Sequence, residues 1–299
     1  MALNGRSTEA RFSALAVEAL QQAADLFPPA HAASAGVDGW VSLEVSPELV
    51  DDTRGTIRAA AGLHARGARK NLFIKIPGTP AGVPAIEESI YQGIPINVTL
   101  LFSREQYVAA AEAYMKGIER RLADGKSPVV ESVASLFVSR WDTGARDTVA
   151  APYQNKLGIA IAMRTYKAYR GLLASERWKR LAAAGAHPQR LLWASTGTKD
   201  PNAPETLYVE ALAAPDTIDT MPEKTLKAFA EHGKVGPPMP PDGGHAEQTI
   251  AEVLRAVVDI EALAGKLQKD GGDSFKKSWG ALLGGLEQKI ARLAAASPT

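Results

Sequence analysis

Apolar and polar residues alternate with period two in several short runs, and each run is followed by a stretch with helical spacing. In "GWVSLEV" (39–45), Val41, Leu43 and Val45 fall on one face, and Trp40, Ser42 and Glu44 on the other. In "NLFIKIP", Leu72, Ile74 and Ile76 oppose Asn71, Phe73 and Lys75. In "INVTLLF", Ile96, Val98 and Leu100 oppose Asn97 and Thr99. In "VASLFVSR", Val133, Ser135 and Phe137 share a face, "QRLLWAST" reads as a buried strand, and "DTIDT" as a brief one.

The intervening segments carry helix signals. Residues 8–27 are alanine-rich with helical periodicity and stop at "FPP". A second helix closes at Gly67. Ser103 and Gln106 form a capping-box pattern, and Gly125 sits where a C-cap belongs. One long helix is expected over 153–184, and "PEKTLKAFAEHG" begins with Pro222 near its first turn. Six strands, each followed by helical sequence, predict right-handed βαβ units and a parallel sheet, either doubly wound or a (β/α) barrel. The expected division is a barrel over 1–236 and, after the linker "KVGPPMPPDGG", a C-terminal helical extension over 237–299 packed on it.

Composition narrows the chemistry more than the fold. The net charge of +1 gives no reason to expect a nucleic acid or a membrane surface as partner. No apolar run approaches the roughly 20 residues that span a bilayer, and the first residues lack the pattern of a secretory signal. The cytoplasm is the expected location. With no cysteine, thiolate nucleophiles and cysteine-based zinc sites are excluded. The five histidines lack metal-ligand spacing, and His64, His187 and His232 are expected at helix ends, so no metal site is expected. No glycine-rich phosphate turn follows a strand, and no glycine-flanked serine elbow occurs.

The polar residues on the strands are the informative feature. Strands of a parallel sheet covered by helices are apolar on both faces, whereas these each keep one face with isolated polar groups. In a barrel that face points inward, and residues near the C-terminal strand ends meet at the mouth, where barrel enzymes place their chemistry. Glu44, Lys75, Asn97, Thr99 and Ser135 would converge there. Taken singly, a strand lysine is more often a solvated edge residue, and Glu44 an ordinary surface carboxylate. Recurrence over several strands favours a shared site, because buried polar groups are costly unless paired. An amine desolvated in an apolar wall is favoured in its neutral, nucleophilic form and forms a Schiff base with a ketone. Glu44 is then placed to move protons through water. Arg140 and Lys199, just past strand ends, suit a phosphate.

The motifs "SLEVSPELVDDT", "NLFIKIPGTPAGVPAI", "GIPINVTLLFS", "SVASLFVSRWDT", "LLWASTGTKDP" and "DTMPEKTLKAF" resemble transaldolases of the actinobacterial, cyanobacterial and plant branch over nearly the whole chain. The resemblance implies a TIM (β/α) barrel of the class I aldolase type. It implies a transferase of the pentose phosphate pathway, moving a dihydroxyacetone unit between sugar phosphates without metal or cofactor. Lys75 corresponds to the Schiff-base nucleophile, and Glu44 to the carboxylate that orders the catalytic water. Asn97 and Thr99 correspond to groups that hold substrate hydroxyls and that water; Ser135 and Arg140 to phosphate-site residues. Ser195 and Lys199 lie in the segment that supplies further phosphate contacts, where other branches carry Ser-Phe-Arg.

Members of the family begin with a strand carrying a catalytic aspartate, a helix, and a second strand ending in "SNP"; this sequence has no counterpart to them. About six of eight strands are therefore expected. A catalytically impaired remnant that binds sugar phosphate or another subunit, or a simple class I aldolase, are the alternatives. A homo-oligomer is left open, and a plastid location would suit the plant-like likeness.

Overall fold

A computed structural model describes residues 7–255 and 259–296. Its single sheet runs β1 (Val41–Glu44), β2 (Leu72–Pro77), β3 (Ile96–Leu101), β4 (Ser132–Phe137), β5 (Arg190–Ala194) and β6 (Thr217–Asp219). The strands lie side by side in chain order and every pairing is parallel. This is the succession of parallel βαβ units that the alternating sequence predicts. No pairing joins β6 back to β1 among the described residues, so the barrel is not closed and both edge strands have a free side.

The helices are α1 (Thr8–Leu26), α2 (Pro28–Ala33), α3 (Thr53–Gly67), α4 (Gly82–Gln92), α5 (Arg104–Ala123), α6 (Ser139–Ala145), α7 (Leu157–Ala174), α8 (Glu176–Ala183), α9 (Leu207–Ala211), α10 (Glu223–His232), α11 (Ala246–Leu254) and α12 (Ile260–Ala296). β2 packs on α3 and α4, β3 on α4 and α5, and β4 on α5. The outward-facing Leu72, Ile74, Ile76, Ile96 and Val98 are fully buried in that layer. Each such side chain removed from water contributes roughly 1.5–3 kcal/mol. α11 packs on α7, and α12 runs past α6, β3 and α1.

Local chemistry explains the element ends. Asp52 accepts from the Gly55 amide and caps α3. Ser103 and Gln106 form the full capping box of α5, as the sequence pattern predicts.

The expected helix over 153–184 is instead two helices. Residues 151–153 form a short 3-10 turn, and Ser175 takes an extended conformation, its hydroxyl accepting from the Trp178 amide to start α8. A serine that caps a new helix competes with the continuing ladder, and here it wins. His64 and His232 lie in the last turns of α3 and α10. His187 does not sit at a helix end: it lies in the segment before β5, and its Nδ1 meets the Glu131 carboxylate.

One buried carboxylate is structural. Asp142 of α6 accepts from the amides of Leu157 and Gly158 at 3.0 and 3.2 Å and from the Tyr208 hydroxyl at 2.8 Å. It satisfies two of the free amides that begin α7. Burial pushes its pKa up to about 6 against the pull of these donors.

Candidate active site

The neighbouring strands β1, β2 and β3 hold the polar residues in register. Glu44 on β1 lies level with Lys75 on β2, and Lys75 level with Asn97 on β3. The Lys75 Nζ is 3.4 Å from Glu44 Oε2, and each side chain keeps about a quarter of its surface exposed (26% and 25%). The amine therefore sits in a half-open recess, held by a carboxylate, rather than walled in by hydrocarbon alone. On the same face, Phe73, two residues before Lys75, stacks on Trp40, four residues before Glu44, with ring centroids 4.2 Å apart, and the two form an apolar floor.

Glu44 also lines a mostly apolar cavity of about 300 Å³ with Phe12, Phe275, Trp279 and Leu282. Burial raises its pKa above the ordinary glutamate value, and the neighbouring Lys75 charge only partly offsets this. A carboxyl moved toward neutrality suits proton transfer.

Asn97 bridges the inner face. Its Nδ2 donates to Ser42 Oγ at 3.2 Å on β1, and its Oδ1 accepts from Ser135 Oγ at 2.7 Å on β4. Ser135 Oγ is engaged with Asn97 in this arrangement. Ser42 belongs to this network; its signal in the sequence is its place two residues before Glu44 on the same face.

Thr99 is fully buried, and its hydroxyl has no hydrogen-bond partner among the described residues. Leu100, the next residue, adopts φ +56°, and the pairing of β3 with β4 shifts register between Val98 and Leu101. A leucine held in the left-handed region costs about 1–2 kcal/mol, and bulges of this kind re-aim side chains beside functional sites.

Arg140, at the start of α6, is half-buried. Its guanidinium lies 5.0 Å from the Phe137 ring and 5.8 Å from that of Phe275. No carboxylate pairs with it among the described residues, and burial lowers its pKa from the free value. Such a cation lacks a counter-ion. Ser195 has φ +56° at the end of β5, and its hydroxyl lies 2.9 Å from that of Ser139, the neighbour of Arg140. Lys199 is exposed on the following loop and makes no hydrogen bond or ion pair among the described residues. The structure thus gathers Lys75, Glu44 and Asn97 with Ser135, sets Arg140 beside the Ser139–Ser195 pair, and leaves Lys199 outside both groups.

A cavity of about 510 Å³ lies along the inner face on the open side, its wall including Ser42, Asn97, Arg190 and Asp219. Asp219 on β6 accepts from Thr196 Oγ1 at 2.7 Å, while its other oxygen is buried without a partner. Burial pushes its pKa up to about 6. Among the described residues no group of three or more histidine, aspartate or glutamate side chains is placed to hold a metal, and no helix is long and apolar enough to cross a membrane.

A parallel (β/α) sheet with a lysine and a carboxylate side by side on adjacent strands is the arrangement of a (β/α)-barrel-type enzyme scaffold. Comparison with known proteins makes the assignment specific. The family model described as Transaldolase/Fructose-6-phosphate aldolase matches residues 2–286. The transaldolase of Parafrankia sp. (strain EAN1pec) is 43% identical over 299 residues, covering 97% of this chain and 81% of that protein. That of Frankia alni is 44% identical over 282 residues (91% and 76%), and that of Neisseria gonorrhoeae 41% over 278 residues (93% and 79%). The chain belongs to the transaldolase/fructose-6-phosphate aldolase family, as its strand motifs predict.

Proposed function

We propose that the protein is a transaldolase that works through a Schiff base at Lys75. The observation that carries this is the Lys75–Glu44 pair: an amine on a buried central strand, 3.4 Å from a carboxylate of raised pKa. Lys75 in its neutral form adds to the C2 ketone of fructose 6-phosphate or sedoheptulose 7-phosphate. Loss of water, with the proton supplied through Glu44, gives the iminium. The C3–C4 bond then breaks, its electrons pass into the iminium, and the C4 hydroxyl proton leaves to a base as the aldose phosphate departs. The remaining dihydroxyacetone enamine adds to the aldehyde of a second aldose phosphate, and hydrolysis frees the lysine.

Asn97 and Thr99 hold substrate hydroxyls in this reading, and the orphaned Thr99 hydroxyl is the group best placed to gain a partner. Arg140, unpaired and half-buried, holds the phosphate, with Ser139 and Ser195 beside it. Lys199 contributes only if its loop turns inward. The substrates place the reaction in the pentose phosphate pathway: sedoheptulose 7-phosphate and glyceraldehyde 3-phosphate give erythrose 4-phosphate and fructose 6-phosphate.

The test is transfer itself. Purified protein given fructose 6-phosphate and erythrose 4-phosphate is expected to form sedoheptulose 7-phosphate. Free dihydroxyacetone without transfer would instead indicate a simple aldolase. No product with either donor would leave a sugar-phosphate-binding remnant and sink the proposal.

A further inference from the structure

The geometry points to Gln268 of α12 as a positioning residue that pins the ends of β2 and β3 and so sets Lys75 and Thr99 relative to each other. This rests on the Schiff-base reading above. Its Nε2 donates to two backbone carbonyls, Gly78 at 3.1 Å and Leu100 at 3.0 Å. Both partners are acceptors only, so the amide has one workable orientation.

These carbonyls belong to the strand ends that carry the chemistry. Gly78 follows β2 directly, three residues after Lys75, and its amide donates to the Thr99 carbonyl at 2.7 Å. Leu100 is the left-handed residue at the register shift, and its carbonyl is turned to α12. Gln268 therefore closes a loop of bonds through Gly78, Thr99 and Leu100. Without it, two carbonyls at the protein's strained bulge lose their donor.

The helix is built to sit close there. Gly271, one turn on and on the same face, lies where an added Cβ would come within 2.8 Å of Leu100 Cδ2 and 3.1 Å of Arg140 Nη1. Other contacts anchor α12 independently: Ala264 and Leu267 are buried on the same strip, and Leu267 reaches Gly144 of α6. Loss of the Gln268 amide should then disturb the strand ends without detaching the helix.

The full chain carrying Gln268→Leu tests this. A displacement of reacting groups by about 1 Å is worth on the order of 10²-fold in rate. The variant is expected to lose about 10- to 100-fold in transfer kcat, with KM for fructose 6-phosphate within about twofold. Its urea unfolding should stay a single cooperative transition with at most a modestly lowered midpoint, and hydrogen exchange at the Gly78 amide should quicken while that of other strand amides does not. Wild-type kcat in the variant would overturn the inference. So would an activity loss that comes only with a lowered unfolding midpoint and exchange raised at every strand amide. If the wild-type protein forms neither a transfer product nor free dihydroxyacetone, the Schiff-base reading has failed, and exchange at Gly78 alone decides: faster in Gln268→Leu supports the pin, unchanged rejects it.

Discussion

β3 and β1 alternate apolar and polar residues in the same way, but one lies in the middle of the sheet and the other at its edge. All six residues of β3 are buried, and Asn97 is bonded on both sides. β1 pairs on one side only, and Ser42 is exposed. In the middle of a sheet, a polar side chain must be satisfied or employed, because burying it unpaired costs about 1–3 kcal/mol. At the edge that obligation falls away only where the side chain reaches solvent, as Ser42 does; Asp219 on β6 still keeps one buried oxygen without a partner among the described residues. Thr217 on β6 simply bonds the nearby Ala214 carbonyl. Lys75 on β2 and the unpartnered Thr99 on β3 are therefore the inner-strand groups that point to chemistry, and Glu44, at the end of edge strand β1, joins them through its 3.4 Å contact with Lys75.

The contrast is broken most sharply at Lys75. Lys75→Met keeps a chain of similar volume in the centre of the sheet and removes the nucleophile. Transfer should fall by on the order of 10⁴-fold or more with the fold intact by circular dichroism. Glu44→Gln comes next: a lost proton-transfer group typically costs about 10²–10⁴ in kcat. Because its folded pKa is raised, the wild-type limb that reports Glu44 deprotonation should lie above the ordinary glutamate range, and this limb should vanish in the variant.

Packing sharpens the comparison at smaller scale. Ile76→Ala in β2 leaves a cavity in the fully buried layer and should cost about 2–5 kcal/mol by urea denaturation. Leu43→Ala on β1, where the side chain is only partly buried, should cost less than about half of that. Asp219→Asn probes the other edge. The folded carboxyl, with a pKa of about 6, holds its proton more tightly than the unfolded one, so wild-type stability falls as pH rises from about 4 through about 6. The variant should lack that fall, a difference of up to about 2 kcal/mol after allowing for its partial exposure, read from unfolding free energies across the range.

Much of this was legible in the sequence for a physical reason: period-two alternation survives in β1, β2 and β3 because one face packs on helices. Lys75, Glu44 and Asn97 could be placed together from that alternation, since a parallel register sets equivalent faces side by side. What was not legible depends on choices that leave no pattern. Ser175 ends one helix and caps the next within an unbroken helical periodicity. Leu100 reads as an ordinary strand residue, and only the register shift shows that it is left-handed. The bond from Ser135 to Asn97 depends on a side-chain rotamer that spacing does not encode. Gln268 lies 168 residues from the carbonyl it meets at Leu100, and no local signal links the two.

The central claim is covalent, and its direct measurement is borohydride reduction of the protein incubated with fructose 6-phosphate, followed by peptide mapping. A three-carbon secondary amine confined to Lys75, and absent from Lys75→Met, is the predicted result. Label on another lysine, or none on a protein that nonetheless transfers, would contradict it.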